Sequence, residues 1–543
     1  MEIRECSLPS TNPFVADYLN RADKALKYFD YHPGDEEAVA RRAEELRSRT
    51  FKRSELASYL HEHHQQFDCS EKTFENIRKF DDERAVAVVA GQQAGVLTGP
   101  LYTIHKAVSV IQFAKEQEEK LGIPVVPVFW SAGEDHDFAE INHVYAPVDK
   151  RRVRKFTVEE DDGIKLPVSE RKLNRKQTIQ WVKEVLAHFP ETIHTRELLQ
   201  KLESLIEVSK TYTDFFNRFL LTLFAQQGLV VMDSNDPKLR QLEADFFMQL
   251  ITENRPMQRN LLQKQLMLAE DNYGEPIAIN EHNANLFYHN DQGERILLER
   301  LESGEFVGKN RTLRFTEDEL LDVAKETPEK LSNNVVTRPL MQDYVLPVLA
   351  FFGGPGEISY WAVLKDVFAQ FDFKMPPVLP RLNITLVERR IETWLEELEL
   401  SFDNVLQNGT NAYKEQRLAN YERKEIDEKM KEAAKEIDDI HQRLRMLASE
   451  VDGNLTHLAY QNGGRIQMEL QYLHKQIDRS LRVKEGPMLV RYDAIDCALS
   501  PSGSPQERVW NILYFLNQYG LDFVNQLSEI PYSFNNRHKV ILI

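Results

Sequence analysis

The sequence predicts an α/β protein: a doubly wound parallel sheet interrupted by long insertions, with an antiparallel helical arm beyond it. Three observations carry this expectation. Apolar, β-rich runs at 85–90, 123–130 and 345–352 each stop at a loop of glycine or acidic residues and lead into a helical pattern. Residues 146–334 separate the first two of these units from the third. From 426 to 451, apolar residues recur in alternating steps of four and three, the seam of a coiled coil, and a returning seam follows at 466–481.

Residues 1–80 read as polar helices packing on the core, with 37–47 the clearest. Residues 81–145 form the first half of the sheet: strand 85–90, loop 91–100, a helix from about Leu101, strand 123–130 and loop 131–137. Residues 146–334 read as insertions, with hairpin-like material at 151–167, helices near 177–189 and 195–224, and a core strand near 229–232. Residues 335–385 supply the second half: strand 345–352, helix 358–371 and strand 376–380. Such Rossmann-like sheets hold their ligands beyond the strand C-termini, where the two halves meet.

Residues 386–485 read as a charged helical hairpin. Its seam runs through Ile426, Met430, Ala433, Ile437, Ile440, Leu444, Leu447 and Val451, and returns through Ile466, Leu470, Leu473, Ile477 and Leu481. The turn is expected at Asp452-Gly453-Asn454, with Asn462-Gly463-Gly464 as its rival. A lone hairpin leaves part of its seam uncovered, so a solvated arm and a dimer arm are both open. Residues 486–543 are expected to return to the main body, with a helix at 506–519.

At 543 residues the chain exceeds one core, and its composition is that of a soluble protein. A net charge of −18 argues against a broad nucleic-acid surface, which needs clustered Lys and Arg. Cys6, Cys69 and Cys497 are scattered, without any CxxC, so a disulfide framework is not expected and a reducing compartment fits. The first residues lack a basic-then-apolar leader, and no uncharged apolar run approaches the ~20 residues that span a bilayer. A cytoplasmic protein without membrane partners is expected.

Five loops bear chemistry. In the first, Gly91, Gly95 and Gly99 permit close backbone approach or positive φ, and Gln92, Gln93 and Thr98 offer neutral polar groups. A helix N-terminus beyond such a loop suits an anion, and a histidine in its first turn can stabilise charge on a transferring group. The candidate catalytic residues are His105, Thr103 and Gln93; Gly91, Gln92, Gly95, Thr98, Gly99 and Tyr102 are candidate binding residues. A tight βα turn with a hydrogen-bonded histidine explains the same residues. In the second loop, Glu134, Asp135 and Asp137 beside Trp130 suit an amine, sugar hydroxyls or Mg²⁺ near phosphates, or an acid-rich helix cap.

Gly353, Gly354 and Glu357 form the third, suited to a nucleoside or to turn chemistry alone. Arg381 and Asn383, after the last strand, offer one cation to a phosphate or carboxylate. Ser502, Gly503, Ser504 and Arg508 form a possible second anion site, although Ser504 and Pro505 equally make an ordinary helix start. His61, His63, His64 and Cys69 lack a second ligand pair, so a polar helix face is preferred and no structural zinc or other metal site is expected. G-x-S-x-G and Walker A patterns are absent, against a serine hydrolase or P-loop enzyme.

Gly99-Pro100-Leu101-Tyr102-Thr103-Ile104-His105 resembles the class I aminoacyl-tRNA synthetase signature G-P-L-H-I-G-H, with His105 on its last histidine. Gly133-Glu134-Asp135-His136 resembles that family's acidic loop, Gly353-Gly354 its later glycine loop, and the long insertion its connecting peptides. Arg381-Leu382-Asn383 stands where the lysine-serine signature would be. Over nearly its whole length, through AGQQAGVLTGP, FWSAGEDHDFAEI, GGPGEISYW and the hairpin, the chain is similar to the bacillithiol biosynthesis cysteine-adding enzymes.

That resemblance implies ligation of L-cysteine to the amine of glucosaminyl malate, a class I synthetase-like core, a coiled-coil arm and a homodimer. It implies ATP, with Mg²⁺, as cosubstrate: the cysteine carboxylate would be adenylylated and then attacked by the sugar amine. His105 and the 91–99 backbone would meet the phosphate, the acidic loop the ammonium or sugar, and Arg381 a phosphate or the malate. A nucleotide-responsive coiled-coil scaffold, or a synthetase-like tRNA-binding protein without ligase activity, is the alternative.

Overall fold

A computed structural model of the protein describes residues 1–35, 37–149, 151–418 and 421–543. They divide into two compact units: residues 1–148, 154–386 and 506–543 in the first, and 149–153 with 387–505 in the second. Among the described residues no helix is long and apolar enough to cross a membrane.

Fifteen strands are numbered here along the chain: β1 Glu2–Cys6, β2 Val86–Gln92, β3 Val125–Ser131, β4 His143–Asp149, β5 Arg152–Thr157, β6 Val230–Asp233, β7 Asn283–His289, β8 Arg295–Arg300, β9 Phe306–Gly308, β10 Arg314–Phe315, β11 Leu331–Asn333, β12 Val348–Gly353, β13 Val378–Pro380, β14 Ile384–Val387 and β15 His538–Leu542. The central sheet of the first unit runs β13-β12-β2-β3-β6, and all its pairings are parallel. The first strand in sequence therefore lies in the middle, and chain order reverses between β2 and β12. That is the crevice position of a doubly wound sheet.

The unbroken apolar run of β2 follows from burial on both faces. Val86, Val88 and Ala90 pack on one side with Val110, Phe113 and Phe352; Ala85, Ala87 and Val89 pack on the other with Val128, Trp130 and Met232. The helix Tyr102–Leu121 lies on the first of these faces. Burying such a run stabilises by about 25 cal/mol per Å² of apolar surface.

The insertion carries a second, antiparallel sheet, β10-β9-β8-β7-β11. The N-terminal segment is not wholly helical. Its first residues form β1, which pairs antiparallel with β15, and β14 lies on the other side of β15. Strand formation there depends on a partner at the far end of the chain, which a local pattern does not reveal. Two expected helices are each divided: 358–371 into Pro355–Trp361 and Lys365–Gln370, and 506–519 into Gln506–Val509 and Ile512–Tyr519.

In the second unit, the helices Tyr421–Val451 and Leu455–Leu499 pack against each other, with the turn between them at 452–454. The rival turn at Gly463 and Gly464 is helical. Gly463 instead makes room for the buried His441, whose Nδ1 would lie 2.9 Å from an added Cβ, and His441 Nε2 meets Asn462 Oδ1 at 3.0 Å. The returning helix runs past Gly486 and Pro487 to Leu499, so 486–499 belongs to the arm. A proline forfeits one backbone bond, and here that does not end the helix. The expected seam residue Leu481 has its side chain outside the described residues.

Candidate active site

A cavity of about 540 Å³ opens beyond the C-terminal ends of β2, β3, β12 and β13, spanning the point where strand order reverses. From β2 it receives Gly91, Gln92 and Gln93; from β3, Glu134, Asp135 and His136; from β12, Gly354 and Glu357; and from β13, Arg381. Tyr102, Lys106, Glu140, Arg295, Asn333, Arg338, Tyr360 and Arg508 complete the wall. Five cationic and four acidic side chains thus face a space of small-ligand size.

Ten of the residues picked from the sequence line it: Gly91, Gln92, Gln93, Tyr102, Glu134, Asp135, Gly354, Glu357, Arg381 and Arg508. Gly95, Thr98, Gly99, Thr103, His105, Trp130, Asp137, Gly353 and Asn383 do not. Loop 91–99 divides in function. Its first three residues face the cavity, whereas Leu97, Thr98 and Gly99 turn away through three successive positive φ angles of 52°, 70° and 66°. Only glycine tolerates the backbone of Gly99, at φ 66°, ψ −154°. Asn511 Nδ2 clasps this turn by donating to the carbonyls of Leu97 at 2.9 Å and Gly99 at 2.6 Å. The strained segment is a buried clasp, not the phosphate cradle expected from its glycines.

The helix Tyr102–Leu121 turns Tyr102 and Lys106 to the cavity, one turn apart on one face. His105 is fully buried behind them, with Nδ1 3.2 Å from Glu507 Oε2 and Nε2 without a partner among the described residues. Burial pushes its pKa down, against the pull of Glu507. Lys106 Nζ donates to Gly91 O at 2.6 Å, to Gln92 Oε1 at 2.9 Å and to the Glu357 carboxylate. Burial likewise lowers the Lys106 pKa, with Glu357 opposing. Glu357 also accepts from Gly354 N at 2.8 Å, which fixes the loop after β12.

Arg381 is buried and bidentate on Glu507, at 2.6 and 2.5 Å, and donates to Asn383 Oδ1 at 2.9 Å. Burial pushes the Glu507 carboxyl up, but Arg381 and His105 together hold it well below the usual carboxylate range. The charge of Arg381 is therefore committed within the protein. Arg338 differs: its guanidinium donates to Tyr360 OH, and no carboxylate stands within ion-pair distance among the described residues. Arg508 is exposed on the same wall.

On the acidic side, Glu134 Oε2 accepts from Arg240 Nη2 at 2.5 Å and from Asn333 N at 3.2 Å. Its Oε1 carries no hydrogen bond among the described residues, although the whole residue is only 3% exposed. Arg295 lies 3.5 Å from Asp135 and stacks over the Phe287 ring at 3.8 Å. Gln93 Nε2 donates to Glu140 at 3.0 Å, and burial, then Asp135 and Asp137, raise the Glu140 pKa. Asp137 caps the short helix Phe138–Ile141 instead of facing the cavity. The Trp130 indole is buried in the core.

In the second unit, Ser502 and Gly503 line another concavity with Arg151, Arg152, Asn408 and Asp496. Ser504 follows them in the chain, and Arg508 lies on the wall of the first unit's cavity.

Sequence reasoning passed over Lys106, Glu140, Arg295 and Arg338. Lys106 adjoins the chosen histidine, so a helical-wheel argument from Tyr102 was its available signal. Arg295 and Arg338 come from the insertion and the helix after β11, where no local motif marks them.

A family model described as bacillithiol biosynthesis BshC, N-terminal Rossmann-like domain, matches residues 1–382, and that family's C-terminal coiled-coil domain matches residues 384–543. Proteins named "putative cysteine ligase BshC" are similar throughout. That of Geobacillus sp. (strain WCH70) is 43% identical over 544 residues, covering 100% of both chains. Those of Bacillus anthracis and of Bacillus thuringiensis subsp. konkukian (strain 97-27) are 42% identical over 541 residues, again covering 100% of each. A Rossmann-like core with its cavity at the strand-order reversal, a paired-helix unit and full-length similarity agree: the chain belongs to the bacillithiol biosynthesis BshC family.

Proposed function

We propose that the protein is an amide-forming ligase that joins L-cysteine to the amine of glucosaminyl malate, with ATP, accompanied by Mg²⁺, activating the cysteine carboxylate. The observation that carries the reading is one cavity with separate unspent groups of opposite sign: the guanidinium of Arg338 and the exposed Arg508 for anions, and Glu134 Oε1 for an ammonium. A dicarboxylate joined to an amino sugar asks for both, and so does an amino acid meeting a nucleotide.

In this reading a cysteine carboxylate oxygen attacks the α-phosphorus of ATP and pyrophosphate leaves. The sugar ammonium, docked on Glu134 Oε1, gives one proton to solvent; the free amine then attacks the acyl carbon, AMP leaves, and the nitrogen loses a second proton. Lys106, one turn into its helix, meets developing phosphate charge. His105 acts from behind, with Glu507 fixing Arg381 and thereby the wall. Arg338 and Arg508 receive the malate carboxylates or phosphates, taking the part first given to Arg381. Much of the rate comes from holding two substrates together.

The exposed apolar residues of the arm, among them Leu444, Leu447 and Val451, support a homodimer formed through it. A cytoplasmic location and the absence of a nucleic-acid partner go with this chemistry. Purified protein supplied with ATP, L-cysteine and glucosaminyl malate is expected to yield bacillithiol, AMP and pyrophosphate, each detected by mass spectrometry. Saturable nucleotide binding without any product would instead leave the scaffold reading.

A further inference from the structure

Glu243 takes no part in the reading above. It lies on the helix Pro237–Thr252, is 0% exposed, and accepts from Arg240 Nη1 at 2.6 Å. The other arm of the same guanidinium holds Glu134, the carboxylate that faces the cavity. One arginine thus serves two carboxylates, one on the cavity wall and one behind it.

The surrounding groups do not close the charge balance. Tyr59 and His63 come from the helix Arg53–Gln65, Asp233 from β6, and Asp236 from the loop after it. His63 is engaged by Asp236 at 2.8 Å. His289 on β7 and Arg295 on β8 face Arg240 from the insertion; burial pushes the His289 imidazole down to about 3, leaving it neutral, while Arg295 is shared between Glu134 and Asp135 and Arg338 also faces Glu134 from the cavity side. Within the triad, Arg240 therefore balances one carboxylate only. Glu243 Oε1 is buried with no hydrogen-bond partner among the described residues, an arrangement hostile to an ionised oxygen. Burial pushes the Glu243 carboxyl up to about 7, with Arg240 opposing. The triad is neutral when Glu243 keeps its proton and Glu134 does not. A cation arriving at Glu134 Oε1 upsets that balance, and ionising Glu243 restores it.

We propose that Glu243 is the counter-charge of the amine subsite: when a cationic amine docks on Glu134, Glu243 gives up its proton to solvent. The inference rests on the reading that the amine of glucosaminyl malate meets Glu134. Glu243 acts through Arg240 and touches no substrate, so it is a positioning residue whose signature is a proton count.

The test is calorimetric titration of glucosaminyl malate into the full-length protein, in buffers of different ionisation enthalpy, from pH 5 to pH 9. Glu243→Gln keeps the shape and fixes the neutral form, and it subtracts any protons exchanged by the ligand itself. Near pH 7 the wild type is expected to release about half a proton per site more than the variant, fading by about pH 9. Affinity of the two should match near pH 5, and the variant should bind on the order of 10-fold more weakly near pH 8.5. The pH dependence of the wild type's own proton count tests the same claim should the variant fold poorly. Equal proton counts with a pH-independent affinity ratio overturn the inference alone. No saturable binding of glucosaminyl malate to the wild type overturns the proposed function and this inference together.

Discussion

The cavity of the first unit hides charge, whereas the arm of the second shows oil to water. Arg240, Glu243, Arg381 and Lys106 are almost wholly buried, while Leu447 is 55% and Val451 73% exposed on the helix Tyr421–Val451. Each departs from the usual sorting of residues, and each costs stability unless something compensates it. Around the cavity the compensation is internal: Arg240, Arg381 and Lys106 each meet a carboxylate within the protein, and Glu243 is read as keeping its proton. On the arm nothing of the kind exists among the described residues of that unit, and the proposed homodimer would supply the apolar partner surface. The difference teaches where each region leaves groups unsatisfied: polar ones facing a small cavity in the first unit, apolar ones facing solvent in the second.

The comparison is broken most directly by removing one half of a buried pair. Arg381→Met leaves Glu507 with His105 alone, in a site that already disfavours its charge. A loss of about 3–5 kcal/mol is expected, read as a lowered unfolding midpoint in denaturant. Arg381→Met combined with Glu507→Met should recover most of it, because no charge is then left buried without its mate. A double variant as unstable as the single one would show that the pair is not what the wall depends on.

A smaller change tests function apart from folding. Lys106→Met preserves stem volume while removing the cation between Gly91, Gln92 and Glu357. Bacillithiol formation is expected to fall about 100- to 1,000-fold, with a stability loss of about 1–3 kcal/mol because Glu357 and Gly91 O lose their donor. His105→Ala should cost activity mainly through stability, since the ring faces Glu507 and not the cavity. Comparing kcat with the unfolding midpoint of each variant separates the two residues.

Those two neighbours also mark the limit of what could be read from sequence. A run of six apolar residues at 85–90 announces a strand because both faces of β2 are covered, a local consequence of a local pattern. The loops after β2, β3 and β12 were legible for the same reason. The rotation of the helix behind the first loop was not, and about 100° of rotation separates His105 from Lys106. Gly95 to Gly99 resemble a phosphate loop by composition, yet Asn511, from the far end of the chain, spends their carbonyls on a clasp. Arg295 reaches the cavity because the insertion folds back over the sheet, and Arg338 because the helix after β11 lies at the same wall. Such convergence leaves no mark in spacing.

On the arm, the comparison is sharpened by making the exposed face polar. Leu447→Lys with Val451→Lys should leave the hairpin intact, since both positions are already more than half exposed. The Kd of the proposed dimer is expected to rise by about 10- to 100-fold, equivalent to roughly 1.4–2.8 kcal/mol. Light scattering would then show the 63.3 kDa chain at concentrations where the wild type reads as twice that mass. Identical masses at all concentrations would remove this face from any dimer.

The smallest effect concerns the proton on Glu243 in the absence of ligand. Its folded-state carboxyl lies near 7, above the ordinary 4.5, so between those values the folded protein binds more protons than the unfolded chain. Wild-type stability should therefore fall as pH rises through that window, the reverse of a carboxylate held low by a partner, such as Glu507. Glu243→Gln removes the titration. The variant should match the wild type near pH 5 and exceed it by on the order of 1–3 kcal/mol near pH 8. Paired denaturant unfolding curves at the two pH values measure the difference. Parallel losses in both proteins would mean that Glu243 is ionised in the folded state, and that the arginine it shares with Glu134 outweighs its burial.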